Sequence, residues 1–193
     1  MRSKSILTVS VVALALVACG RNDADTPSAE LNTMVTDDTA LENDITATAT
    51  VAPTSAQGFA NAAAASDRFE IESSRLAAAS AQSSAVKSFA DNMIKAHTAS
   101  TTELKTILSG LPTPVTPADA FNPDQQRLMD GLQGKTGAEL DEAYAAAQVT
   151  AHQATLDSLK AYASAGDTPA LKAFANKMIP TVTAHLNTAK GLK

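Results

Sequence analysis

The chain has 193 residues, 45% hydrophobic and 18% charged, with 4% aromatic and no Trp. That length suits one domain of ordinary size with additions. A single Cys excludes an intrachain disulfide framework and any Cys-based zinc cluster. A formal net charge of −5 speaks against a nucleic-acid partner, which would require a basic face.

The first residues read as an export signal. Arg2 and Lys4 give a positive start, and Ile6 to Val17 is an apolar run broken only by Thr8 and Ser10. At about 12 residues it falls short of the roughly 20 needed to span a bilayer. It ends in Leu16-Val17-Ala18-Cys19, which resembles the lipobox of bacterial lipoproteins. The resemblance implies cleavage after residue 18, with lipid on the Cys19 thiol and acylation of the new N-terminus. Several acyl chains give stable membrane attachment. Gly20 at the next position implies, by the rules of such proteins, the outer membrane if the host is Gram-negative.

Residues 19–55 read as the lipidated Cys and a disordered acidic tether. Between Arg21 and Thr50 there is no aromatic residue and no period, and Asp23, Asp25, Glu30, Asp37, Asp38, Glu42 and Asp44 face Arg21 alone. The acidity of the chain therefore belongs mostly to this segment. Such a tether reaches on the order of 30–36 Å root-mean-square.

Residues 56–193 read as a helical body. A first long helix runs over about 56–80, with Phe59, Ala63, Phe69, Ile71, Leu76 and Ala77 as packing residues. Ser83 or Ser84 caps a second, carrying Val86, Phe89, Ala90, Met93, Ile94, Leu104, Ile107 and Leu108 before Gly110 and Pro112 stop it. Pro112, Pro114 and Pro117 make residues 111–121 an extended crossover. Asn122-Pro123-Asp124-Gln125 opens a short helix to about Gln133. Thr136-Gly137-Ala138-Glu139 fits a second capping box, opening a third long helix to about Ala165. Gly166 reads as its left-handed stop. Asp167 then caps a fourth, with Pro169 in its first turn, Leu171, Phe174, Met178, Val182, Leu186 and Leu192 inward, and Pro180 kinking it. Glu139, Asp141 and Glu142 read as acidic helix starters. No segment alternates long enough for a strand. The fold class is all-α, an antiparallel four-helix bundle with a crossover and a short extra helix between the second and third long helices.

Several segments carry a family resemblance. They are Ser66-Asp67-Arg68-Phe69-Glu70-Ile71-Glu72-Ser73-Ser74, Val86-Lys87-Ser88-Phe89-Ala90 and Met93-Ile94-Lys95-Ala96-His97-Thr98, followed by Tyr144, Gln148, His152-Gln153, Leu171-Lys172-Ala173-Phe174-Ala175, Pro180 and His185-Leu186. Over roughly residues 57–193 the body resembles the bacterial family called domain of unknown function 4142. The resemblance implies an exported, ferritin-like four-helix bundle, often lipidated, with no established activity. An acid often precedes the first histidine in that family; here Ala96 stands there.

All three histidines fall on apolar stripes: His97 with Phe89, Ala90, Met93 and Leu104; His152 with Val149, Leu156 and Leu159; His185 with Met178, Val182, Ala189 and Leu192. Counting at roughly 1.5 Å per residue from the turns puts the rings within one or two turns of a common level. Asp67 and Glu70 fall nearest that level on the first helix, and Glu70 shares a face with Ser74. Two readings follow. Neutral imidazoles can be buried against Tyr144, Gln148, Asp67, Glu70 or Ser74, since an unpaired buried polar group is costly. Or His97, His152 and His185 with Glu70 hold Zn²⁺ or a similar divalent ion, with Asp67, Ser74, Tyr144 and Gln148 around them. Di-iron chemistry is not indicated, because its Glu-x-x-His pattern is replaced at Ile94, Val149 and Val182.

There is no Gly-x-Ser-x-Gly elbow and no phosphate-binding Gly-rich loop. The expectation is a non-enzymatic protein of the cell envelope, held on the periplasmic face by its acyl chains, needing no cofactor and meeting envelope proteins or polymers. The alternative is a periplasmic divalent-metal-binding bundle.

Overall fold

The computed structural model describes residues 53–192. The signal peptide, Cys19 and all but the last residues of the expected tether lie outside them. Five helices follow in order: α1 (Ala56–Ser80), α2 (Ser84–Ser109), α3 (Pro123–Leu132), α4 (Gly137–Ala165) and α5 (Pro169–Lys190). Among the described residues there is no strand, only an isolated bridge between Ala81 and Gly137. No helix of the described residues is long and apolar enough to cross a membrane.

The helices pack as two hairpins, α1 with α2 and α4 with α5, joined through α1 against α4 and α2 against α5. Two apolar clusters fill the interior. One gathers Phe69, Val86, Phe89, Met93, Leu132, Leu140 and Tyr144. The other gathers Phe59, Leu104, Leu156, Tyr162, Leu171, Phe174 and Leu186. Residues 111–121 connect the two ends. Leu111 and Val115 pack on the second cluster and Phe121 on the first. Along the way the segment is fastened to α1: the Gln57 side chain donates to the Thr116 carbonyl, the Ala118 amide donates to Asn61, and Arg68 stands 4.8 Å over the Phe121 ring. This return path makes every adjacent pair of long helices antiparallel.

Several expected details are corrected. Leu76, expected to pack, is 38% exposed. Ser83 is the N-cap residue of α2 but makes no side-chain cap. Instead the carboxylate of Asp141, reaching from α4, accepts the Gln82 and Ser83 amides at 3.0 and 2.9 Å. Asp141 is thus a buried clamp on the α1–α2 turn rather than a simple helix starter. The α3 capping box forms as read. The one expected at α4 does not: Thr136 makes no side-chain cap, Gly137 takes φ 61°, and Glu139 pairs with Lys135. Gly166 is extended, not left-handed. It is small because a Cβ there would lie 2.6 Å from Tyr162. Thr168, not Asp167, is the N-cap residue of α5, while the Asp167 carboxylate accepts from Tyr162 and Thr168. Pro180 lies inside α5, whose helical assignment continues to Lys190.

Candidate metal centre

Between the two apolar clusters lies a polar layer. α1 contributes Asp67, Glu70, Ser73 and Ser74, α2 His97, and α4 Gln148 and His152, all buried; α5 contributes the half-buried His185. The three imidazoles come from three helices; His152 meets the other two edge to face, and His97 and His185 are tilted against each other. Ring centroids are 5.8 Å apart for His97 and His152, 5.8 Å for His97 and His185, and 5.5 Å for His152 and His185. One ring nitrogen of each lies within 4.8 Å of the others. The stripe positions and depth count found this meeting point, because at each site the helical period turned the residue inward and short turns fixed its height.

The outer nitrogens of two rings are held. His97 Nδ1 lies 2.8 Å from Asp67 Oδ1. The Thr101 hydroxyl reaches Asp67 Oδ2 at 3.1 Å and the His97 carbonyl at 2.9 Å. His152 Nδ1 lies 2.9 Å from the Gln148 carbonyl one turn back, and Glu70 Oε1 stands 3.5 Å from the same nitrogen. With each Nδ1 acting as donor, the Nε2 atoms of His97 and His152 present lone pairs. Those two atoms, His185 Nδ1, both oxygens of Glu70 and Gln148 Oε1 are buried without a hydrogen-bond partner among the described residues. Leaving so many buried polar atoms unpaired in one layer is costly. A cation with tetrahedral bonds near 2.0–2.1 Å holds its nitrogens roughly 3.4 Å apart. Rings already within 4.8 Å need close by little more than an ångström.

The other named residues divide. Glu70 does not join the three-nitrogen group; it stands behind His152, on its Nδ1 side. Tyr144 and Ser74 bond to each other at 2.7 Å rather than to a histidine. The Gln148 side-chain amide donates to Ser73 at 3.3 Å, and it is the Gln148 backbone that serves His152. Thr101 was not legible as part of the site, because its role follows from a contact to α1 that no spacing within α2 reveals.

Burial sets the titration of the layer. It pushes His152 down to about 3, helped by the charge of His97, and His185 down to about 4 for the same two reasons. Burial raises Glu70 to about 7, against the pull of His97 and of the nearby Gln148 side chain. Burial works against His97 as well, but the hydrogen bond to Asp67 and the charges of Glu70 and Asp67 outweigh it and raise its affinity for a proton. Burial likewise raises the Tyr144 phenol, keeping it protonated.

Comparisons with known proteins agree with this architecture. No curated protein matches the sequence. Among solved structures the chain is similar to CopM in the Cu(II)-bound form, with a TM-score of 0.59 and 16% identity, over 71% of this chain and 94% of that one. At that identity the likeness is one of fold. The profile of the family described as Domain of unknown function (DUF4142) matches residues 32–192, beginning some way before the helical body. Spanning most of the chain, that match makes the protein a member of the DUF4142 family.

Proposed function

We propose that the protein is a divalent-metal-binding bundle of the cell envelope in which His97, His152 and His185 hold the ion. One observation carries the reading. Three imidazoles from three helices bring one ring nitrogen each within 4.8 Å of the others in a buried layer, and each ring carries a buried nitrogen without a hydrogen-bond partner. Neutral imidazole suits Zn²⁺ and Cu²⁺. The fold likeness to a protein whose structure holds Cu(II) supports the same direction. The export signal and the lipobox-like Leu16–Cys19 support attachment to a membrane through acyl chains on Cys19. The outer membrane is the expected site if the host is Gram-negative. The proposed role is binding rather than catalysis, because the sequence carries no catalytic motif.

The hydrogen bonds already made by His97 and His152 favour a second reading, in which the layer is a polar core of a structural or interaction module. Metal analysis of protein purified without a His-tag separates the two. The metal reading expects one ion per chain, lost in a His97→Ala/His152→Ala double variant. His185→Gln, at the half-buried edge of the layer, should weaken binding while leaving helicity by circular dichroism unchanged. Wild-type protein that binds neither Zn²⁺ nor Cu²⁺ overturns the metal reading in favour of the second.

A further inference from the structure

The layer contains two acids that pair with no Lys or Arg. Asp67 and Glu70 are 4% and 1% exposed. Among the described residues, no Lys or Arg forms an ion pair with either, and the groups that face them are His97, Thr101, His152 and Gln148. Both stand on α1, three residues apart, and each lies against the Nδ1 edge of a different histidine. α1 thus supplies no member of the three-nitrogen group but supplies carboxylates behind two of its three rings. An imidazole bound to metal through one nitrogen characteristically gives its other N–H to such a group.

We infer that Asp67 and Glu70 set the charge selectivity of the centre, favouring a dication over the monocation Cu(I). The inference rests on the metal-binding reading. An imidazole bound to a metal ion is neutral, so with the ion in place the ion and the two carboxylates make up the charge of the layer. A dication balances two carboxylates, whereas a monocation leaves a net buried negative charge, which a low-dielectric interior penalises. Soft sulfur ligands would favour Cu(I); the three clustered ligand atoms are all imidazole nitrogens.

The experiment measures Cu(II) and Zn(II) affinity aerobically, and Cu(I) affinity anaerobically, by chelator competition at pH 8. The proteins compared are the untagged wild type, Asp67→Asn, Glu70→Gln, the double variant and Ser74→Ala. The last removes a buried hydroxyl from the same helix without changing charge. Wild type is expected to bind the divalent ions more tightly than Cu(I). Each carboxamide variant should lose about 10–100-fold in divalent affinity and, because the interaction scales with the ion's charge, only about 3–10-fold in Cu(I) affinity. The ratio of the two should fall further in the double variant and stay put in Ser74→Ala. Equal losses for both oxidation states, or a ratio that Ser74→Ala shifts as much, overturn the inference while leaving metal binding intact. A wild-type chain that takes up no ion overturns the metal reading itself.

Discussion

Glu70 and His152 stand 3.5 Å apart, and burial moves them in opposite directions, Glu70 up to about 7 and His152 down to about 3. A histidine whose folded value is depressed loses stability for the fold as pH drops below its unfolded value of about 6.5, because the unfolded chain takes the proton. His152 and His185 both act so. Glu70, raised, contributes stability at low pH that is lost as pH rises through about 7, and His97, also raised, contributes stability below its unfolded value that is lost at higher pH. Between about pH 6.5 and 4.5 the unfolded chain holds protons on three histidines, and the folded one holds them on His97 and Glu70, so the difference is about one proton. Glu70→Gln removes one proton from the folded count. Its apo stability, measured by urea unfolding at several pH values with chelator present, should fall with acidification more steeply than wild type by about 1.4 kcal/mol per pH unit. Equal slopes would show that Glu70 does not titrate in this window. At this scale the sequence discloses which residues point inward, since the stripe carries that information. It does not disclose which nitrogen of His152 is held, because its partner is a backbone carbonyl that any residue at position 148 supplies.

The helices themselves were readable nearly to their ends, and so were the α3 box and the Gly110 stop, but other devices that end them were not. Asp141 looked like an acid favouring the start of its own helix. It instead accepts two amides of the α1–α2 turn, fixing one hairpin to the other. Asp141→Ala leaves those amides without an acceptor and should cost about 1–3 kcal/mol, whereas replacing the neighbouring exposed Glu142 by Ala should stay within about 0.5 kcal/mol. Paired urea melts check the contrast. Gly166 and Thr136 teach the same lesson. The expected left-handed stop at Gly166 is in fact a close approach to Tyr162. Thr136 is denied its box by Gly137 at φ 61° and by the pairing of Glu139 with Lys135. Such outcomes depend on neighbours that local spacing does not name. For Gly166→Ala, overpacking against Tyr162 should cost about 1–3 kcal/mol by the same assay.

At the scale of the molecule, connectivity was legible because two short turns and one long proline-bearing segment leave few ways to pair four rods. The candidate metal centre draws one histidine from the α1–α2 hairpin and two from the α4–α5 hairpin, so an ion bound there would tie the two halves together. Under the metal reading, Zn²⁺ at 100 times its dissociation constant should stabilise the fold by about 2.7 kcal/mol. For a body of this size that raises the melting temperature by roughly 5–10 °C over chelator-treated protein; an unchanged melt at saturating ion would contradict it. The crossover at residues 111–121, fastened to α1 by Gln57, Asn61 and Arg68, is the covalent counterpart of that bond. A protease that severs it leaves two fragments held by packing between the hairpins, by the Asp141 hydrogen bonds and, under the metal reading, by the ion. The nicked species should travel as one particle in gel filtration while the ion is bound, and chelation should lower its resistance to coming apart.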